Sequence, residues 1–112
     1  EASSYDSDPI TAIFNANMIH ISPWQTCEGL MAGAGRILPI GGRLFLYGPF
    51  KFNGQQTAVS NAKFDEWLKS LDPEYGVRDM EAVLGEASKN GLRHIIARSM
   101  PANNFFHLFE KI

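Results

Sequence analysis

The carboxyl-terminal segment, residues 104–112 (NFFHLFEKI), constrains the fold of this chain more than any other part of the sequence. In an extended strand, successive side chains point to opposite faces of the sheet. One face would carry Phe105, His107 and Phe109, and the other would carry Phe106, Leu108 and Ile112. Strands that are apolar on both faces are typical of the interior of a sheet. We therefore expect this segment to have a neighbouring strand on each side.

The preceding segment, residues 92–100, also has a strand-like pattern but carries Arg93 and Arg98. Two charged side chains favour a solvated strand at the edge of a sheet. The connection at residues 100–104 (MPANN) is short and rich in turn-forming residues, so the two strands should be antiparallel. The sequence thus predicts a terminal hairpin whose first strand lies at one edge.

Two further strands are predicted at residues 10–18 (ITAIFNANM) and 43–47 (RLFLY). The first has apolar residues pointing both ways, which indicates a strand covered on both faces. A helical segment connects the two strands, so they should be parallel. The predicted fold is a mixed α/β sheet with two parallel strands, a terminal antiparallel hairpin and about three helices. The last strand should insert between the second and the third.

The first predicted helix follows Ser22, which would be its N-cap, with Pro23 in the first helical position and Gln25 completing a capping box. Its apolar face would comprise Trp24, Cys27, Met31, Ala34 and Leu38. Gly33 and Gly35 do not fit the spacing of a dinucleotide-binding loop, because they fall late in this helix. They indicate a helix that packs closely on the sheet.

Two more helices are predicted between the second and third strands. Ser60 or Asn61 would cap the earlier one. Its apolar positions, at helical spacing, are Phe64, Trp67, Leu68 and Leu71, and we expect Trp67 in the core. Asp79 would cap the later helix, and Gly91 would lie in a left-handed conformation at its carboxyl end.

Composition favours a single globular domain. The chain has 112 residues, 45% hydrophobic and 20% charged, and 10 basic against 12 acidic residues give a formal net charge of −2. This balance lacks the basic excess of non-specific nucleic-acid binding, and no apolar run is long enough for a membrane span. A lone cysteine cannot form an internal disulfide, so we expect a cytoplasmic protein. Residues 1–9 should form a flexible arm and residues 10–112 the domain.

Metal and thiol chemistry are not indicated. The three histidines, His20, His94 and His107, are scattered, and no cysteine pair is present, so the sequence predicts no metal site. Cys27 falls on the apolar face of the first helix, which favours burial over a role as a nucleophile.

Polar side chains cluster at the carboxyl end of the first strand, where open α/β sheets bind ligands. They are Asn15, Asn17 and His20. The alternative is that the asparagines hydrogen-bond nearby loops and that His20 only precedes a helix. The long loop at residues 48–59 carries Phe50 and Phe52, which are candidates for ligand contact.

Five segments resemble the methyltransferase-like protein family, a group of poorly characterised S-adenosylmethionine-dependent enzymes of the methyltransferase-like protein 26 type. The segments are FNANMIHISPW (14–24), LYGPF (46–50), SNAKFD (60–65), YGVRD (75–79) and MPANN (100–104). The resemblance implies the Rossmann-like class I methyltransferase fold, of which this chain would be the carboxyl-terminal half. It also implies S-adenosylmethionine as the cofactor.

Enzymes of this fold hold the cofactor mainly with a glycine-rich loop after their first strand and an acidic residue after the second. Neither feature precedes residue 10 here, and the chain begins with Glu1. We therefore expect a fragment, a partial methyltransferase-like domain that is inactive alone.

The resemblance implies roles for six residues. Asn17, Met18 and Trp24 would lie near the cofactor, and Tyr47 and Phe50 would face a methyl acceptor of unknown identity. His20, with an ordinary pKa of about 6.5, would act as the catalytic base. The ring of Trp24 or Tyr47 could also attract the cationic cofactor by a cation–π contact.

A half-domain of this kind would leave the first strand with an open parallel edge. Unpaired apolar edges recruit other strands, so we expect self-association or strand exchange between copies. The alternative function is a non-catalytic interaction domain that binds a partner through this edge and the loop carrying Phe50 and Phe52.

Overall fold

The computed structural model describes residues 10–112, and the predicted arm at residues 1–9 lies outside this range. The described residues form four strands and three α-helices, with a short 3₁₀ turn inside the final hairpin. In chain order they are β1 (Ala12–Ala16), α1 (Trp24–Ile37), β2 (Arg43–Gly48), α2 (Val59–Leu71), α3 (Met80–Lys89), β3 (Leu92–Met100), the turn (Pro101–Asn103) and β4 (Asn104–Lys111). Within residues 10–112, no helix is long and apolar enough to cross a membrane.

The four strands form one mixed sheet in the order β1-β2-β4-β3. β1 and β2 are parallel, with Phe14 beside Phe45, whereas β4 is antiparallel to both of its neighbours. The predicted insertion of the last strand between the second and the third is therefore confirmed. Its cause is the one inferred from the sequence, since Phe109 and His107 on one face of β4 and Leu108 on the other are all buried.

β3 lies at one edge, as its two arginines predict. Along most of its length it is exposed, and its pairing with β4 shifts between His94 and Ile96. This bulge leaves Ile95 unmatched with β4, which is common where an edge strand bends.

β1 lies at the other edge, and the prediction that it is covered on both faces is wrong for this chain. Its residues alternate between exposed and half-buried, and Phe14 is 63% exposed. Ile10, which precedes the strand, and Met18, which follows it, are also exposed. The apolar composition of this strand is therefore not explained by contacts within residues 10–112.

Helix α1 buries the face predicted for it. Cys27, Met31, Ala34 and Leu38 pack in the core, and Trp24 is half-buried against it. The predicted cap is wrong, because Pro23 occupies the N-cap position and no described side chain caps the helix. Ser22 Oγ donates instead to the Met18 carbonyl, at 2.5 Å, and closes the loop before the helix.

Helix α2 departs most from its predicted packing. Trp67 is 55% exposed and Leu71 is exposed too, whereas Asn61 and Asp65 are buried with Leu68. The buried face is polar because it binds backbone: Asn61 Nδ2 donates to the Asn103 carbonyl, and Asp65 accepts from a main-chain N–H in the segment before α3. Trp67 is therefore not a core residue, and the helix begins at residue 59 without the predicted side-chain cap.

Helix α3 begins as predicted, since the Asp79 carboxylate accepts from Glu81 N at 3.1 Å. Gly91 follows the helix with a φ of 72°, the left-handed conformation expected there.

The two glycines of α1 differ in what surrounds them. A Cβ on Gly35 would collide with the backbone carbonyl of Asn90 at the end of α3, whereas one on Gly33 would meet only the tip of Arg36, 4.0 Å away. The two glycines were predicted to indicate close packing on the sheet, but the close approach is instead between Gly35 and the end of α3. We expect Gly35→Ala to lower the free energy of unfolding by about 2 kcal/mol through overpacking. Gly33→Ala, the matched control, should raise it by about 0.5–1 kcal/mol through helix propensity. Urea unfolding of both variants checks the pair, and equal effects would contradict it.

Candidate functional site

The candidate site lies where the adjacent parallel strands β1 and β2 end. Asn17 follows β1 with a φ of 65°, and its N–H donates to the Tyr47 carbonyl at 3.0 Å, which extends the strand pairing by one step. The chain then turns, because His20 N donates to the Asn17 carbonyl at 3.0 Å. The left-handed conformation, which asparagine tolerates better than most residues, therefore brings Asn17 and His20 together.

The His20 imidazole is fully buried and is held from one side. Nδ1 accepts a hydrogen bond from the main-chain N–H of Arg78 at 3.0 Å, and the His20 carbonyl accepts from Gly76 N at 2.9 Å. Because a main-chain N–H can only donate, Nδ1 carries a lone pair, and the proton of the neutral ring is assigned to Nε2.

Besides Asn15 Oδ1, two buried polar atoms at this point have no hydrogen-bond partner within residues 10–112: Asn17 Oδ1 and His20 Nε2. Both face the backbone of Gly48 at the end of β2. A Cβ at Gly48 would lie 2.7 Å from Asn17 Oδ1 and 3.1 Å from His20 Nε2. Buried polar groups are nearly always paired, so an acceptor and a donor that both lack a partner next to Gly48 form an open pair and a candidate position for a ligand or a bound water.

Burial, together with the nearby Arg78 guanidinium, lowers the pKa of His20 from 6.5 to about 3. The imidazole is therefore neutral at physiological pH. A catalytic base would need a lone pair at Nε2, and this hydrogen-bonding pattern places a proton there. The role of His20 as a base therefore stays a prediction.

Trp24 lies beside the same segment, but a face of its ring is already occupied. The Arg78 guanidinium carbon is 5.6 Å from the ring centroid, within the range of a cation–π contact. The cationic partner that the sequence suggested for Trp24 is therefore supplied, in this structure, by the chain itself.

Met18 and Tyr47 flank the open pair. Met18 is 41% exposed, and its sulfur accepts from Asn15 Nδ2 at 3.4 Å. Tyr47 is half-buried and precedes Gly48 in β2. Both are placed at the same end of the sheet as Asn17.

Phe50 is not at the surface. It is 1% exposed, and its ring packs edge-on against His20 at 4.8 Å and against His107 at 4.7 Å between centroids. This arrangement does not provide the direct substrate contact predicted for Phe50, because the ring lies in the core behind His20.

The loop after β2 is fastened to the start of α3. Lys51 pairs with Asp79 in a short parallel bridge, Asn53 N donates to Glu81 Oε1 at 2.7 Å, and Gly54 N donates to Asp79 Oδ2 at 2.5 Å. The loop predicted to be a ligand-binding segment is thus held in place by hydrogen bonds to the Asp79 and Glu81 carboxylates.

Two cavities of about 280 and 300 Å³ occur elsewhere in the domain. The first is lined by Leu84, Ser88, Leu92, Arg93, His94 and Ile112, and the second by Gln56, Thr57, Ala58, Val59 and Ala62. Neither lining includes a residue of the predicted site. The candidate site is therefore a contact point at the strand ends rather than one of these cavities.

Two residues of the site were missed by sequence reasoning, Gly48 and Arg78. Each lies in a segment singled out from the sequence, LYGPF or YGVRD, but neither was given a role. A glycine directly after an apolar strand can indicate a close approach of other groups to the backbone, and that signal was present. Nothing in the sequence pairs Arg78 with His20, which is 58 positions earlier.

The open pair fits one end of S-adenosylmethionine. Asn17 Oδ1 is an acceptor and His20 Nε2 is a donor, so together they match a group that offers both an N–H and a lone pair. The amino-acid end of that cofactor, with an ammonium and a carboxylate, has this combination.

The chain is similar to several solved methyltransferases. It matches an O-methyltransferase family 2 protein from Planctomyces limnophilus in complex with apigenin at 25% identity and a TM-score of 0.83, over 94% of this chain and 31% of that one. It matches human N-acetylserotonin methyltransferase in complex with SAM at 16% identity and a TM-score of 0.75, covering 94% and 31%. An O-methyltransferase family protein from Burkholderia thailandensis matches at 13% identity and a TM-score of 0.78, covering 99% and 33%.

These matches show that the sheet and helices of this chain are the carboxyl-terminal part of a Rossmann-like class I methyltransferase fold, and that the chain spans about a third of the length of the proteins it matches. Residues 1–111 also match a family described as "Protein of unknown function (DUF938)". The chain therefore belongs to this family of unknown function and has a methyltransferase-like fold.

Proposed function

We propose that the chain is the carboxyl-terminal part of an S-adenosylmethionine-dependent methyltransferase of the methyltransferase-like protein 26 type. The observation that carries the proposal is the open pair of Asn17 Oδ1 and His20 Nε2 over Gly48, at the carboxyl end of two parallel strands. In open α/β sheets, ligands bind at this end of the strands. The methyltransferase-like fold supports the choice of cofactor.

In this proposal Asn17, Met18 and Trp24 are on the cofactor side of the cleft, and Tyr47 is toward the methyl acceptor. When bound, S-adenosylmethionine would supply a methyl group on a positively charged sulfur. A lone pair of the acceptor would form the new bond to the methyl carbon as the carbon–sulfur bond breaks, and positioning of the two reactants accounts for most of such catalysis. The glycine-rich loop and acidic residue of this fold would come from polypeptide outside residues 10–112, so this part alone would be inactive.

Calorimetric titration with S-adenosylmethionine tests the proposal, using the 112-residue chain and a version extended by any upstream coding sequence. We expect binding by the extended protein, and weaker or undetectable binding by the shorter chain. Asn17→Asp keeps the acceptor at Oδ1 but replaces the Nδ2 amide with a second oxygen and adds a negative charge with little change in shape, so it should alter the affinity of the extended protein. Lys63→Gln, an exposed change on α2, should not. No binding by an extended protein that has the glycine-rich loop would overturn the proposal.

A second function, binding through the free edge of β1, is favoured by the exposure of that strand. Phe14 is 63% exposed and Ile10 is 52% exposed, and the outer side of β1 pairs with nothing in residues 10–112. We propose a second copy of this chain as the partner of the edge, which exposed apolar strands favour. Light scattering should give a mass that increases with protein concentration, and Phe14→Lys should reduce the increase. Val59→Lys, at another exposed apolar residue, is the control, and a constant monomer mass would contradict association.

A further inference from the structure

The Arg78 side chain hydrogen-bonds to the loop that carries His20, at residues before and after the histidine. Its Nε donates to the Ile19 carbonyl at 2.8 Å, and its Nη2 donates to the Ser22 carbonyl at 2.5 Å and to the Glu74 carbonyl at 2.9 Å. Ile19 and Ser22 bracket His20 in the sequence. A guanidinium has fixed, planar donors, so one side chain sets the path of the whole loop.

The backbone of the same residue holds the imidazole. The Arg78 N–H donates to His20 Nδ1, and two residues earlier Gly76 N donates to the His20 carbonyl. The segment is fixed from its other side as well, since Val77 N donates to the buried Asp65 Oδ1 at 2.8 Å. The ring of His20 is therefore held by a segment that is itself anchored to α2.

We infer that Arg78 is a positioning residue that keeps His20 with its proton on Nε2, so that His20 acts at the site as a hydrogen-bond donor. This inference rests on the proposed function and replaces the base role predicted for His20. It also defines the chemistry of the group opposite Nε2, which must be a hydrogen-bond acceptor such as a carboxylate, a carbonyl or an ionised oxygen.

The surroundings of the ring support a neutral imidazole. The charged side chains that act on it are Arg78 and Asp65, and burial together with the Arg78 guanidinium lowers the pKa of His20. The Phe50 ring, 4.8 Å from the imidazole between centroids, adds an apolar neighbour that has no polar atom to accept a proton. An imidazole in this position changes charge only if the contact with Arg78 is broken.

Long-range ¹H–¹⁵N NMR of the imidazoles tests the inference directly on the unmodified chain, without cofactor. We expect His20 to show a protonated Nε2 and an unprotonated Nδ1 from pH 8 down to pH 5. A proton on Nδ1, or a charged ring at pH 6, would overturn it. Because no ligand is added, this result does not depend on whether S-adenosylmethionine binds.

Substitutions then separate a positioning role from a general effect on folding. In Arg78→Gln the guanidinium and its charge are lost, so the pKa of His20 should rise by about one unit or more. The main-chain N–H of residue 78 remains, but without the side-chain contacts to the Ile19 and Ser22 carbonyls its hydrogen bond to His20 Nδ1 should weaken, and the Nε2–H form should become less populated. Arg78→Lys keeps the charge and should give a smaller rise. Arg98→Lys, at an exposed arginine on β3, should leave the His20 signals unchanged. Unchanged His20 signals in folded Arg78→Gln would overturn the inference, and the unmodified chain decides the question if that variant does not fold.

Discussion

At pH 5 the chain should be less stable than at pH 7.5 by about 4 kcal/mol, because two fully buried imidazoles must stay neutral in the folded state. Burial lowers the pKa of His20 to about 3, and burial together with His94 lowers the pKa of His107 to about 4. In the unfolded chain both groups take up a proton below pH 6.5. The unfolded state therefore binds more protons between pH 6.5 and about 4, and stability is complete above pH 6.5 and falls as the pH decreases.

The size of the effect follows from the linkage of protonation and folding. Each imidazole costs about 1.4 kcal/mol per pH unit over that interval, or about 2 kcal/mol at pH 5. Typical domains have 5–15 kcal/mol of stability in total, so the loss is large. Urea unfolding followed by tryptophan fluorescence at the two pH values measures it.

A His107 variant shows how much of the pH-dependent loss of stability comes from each of the two histidines. His107→Gln removes one buried titrating group, so the difference between pH 7.5 and pH 5 should fall to about half. His94, which is half-buried and hydrogen-bonded to His107 at 3.1 Å, also has its pKa lowered by burial, so it contributes in the same direction to the difference that remains. Equal stability of the unmodified chain at both pH values would show that the imidazoles do not stay neutral when folded.

The positions of β3 and β4 in the sheet were predictable from hydrophobic patterning. β4 is apolar on both faces and β3 carries two arginines, and these facts place the first inside and the second at an edge. The same reasoning failed for β1, which is apolar on both faces yet lies at an edge of this chain. Within residues 10–112 β1 has a neighbouring strand on one side only, so an apolar pattern does not by itself determine where a strand lies in the sheet.

The packing of α2 was not predictable, for a different physical reason. Sequence periodicity assigns aromatic and aliphatic residues to the core, but the inner face of α2 binds loops, and loops need hydrogen-bond partners for their backbone. Asn61 and Asp65 meet that need, which leaves Trp67 outside. The candidate site was predictable in part: Asn17 and His20 stand out at the end of β1, whereas Arg78, which orients His20, comes from a distant segment.

Gly48→Ala should have the largest effect on the candidate site itself. The added methyl group would lie 2.7 Å from Asn17 Oδ1 and 3.1 Å from His20 Nε2, both closer than ordinary van der Waals contact. Because His20 is fixed by Arg78 and Asn17 is paired with Tyr47, neither can move away without breaking a backbone contact. We expect the free energy of unfolding to fall by about 2–3 kcal/mol through overpacking. The extended protein should also lose its binding of S-adenosylmethionine.

Two further variants make this prediction specific to the site. Gly85→Ala adds the same methyl group to an exposed position on α3 with no atom within 4 Å, so it should stabilise the chain by about 0.5–1 kcal/mol. Asn17→Gly combined with Gly48→Ala removes the closer of the two clashes and keeps a residue suited to the left-handed backbone, so it should recover about half of the lost stability. Full stability of Gly48→Ala alone would mean that Asn17 and His20 are free to move, and a mobile pair could not serve as a preformed binding site.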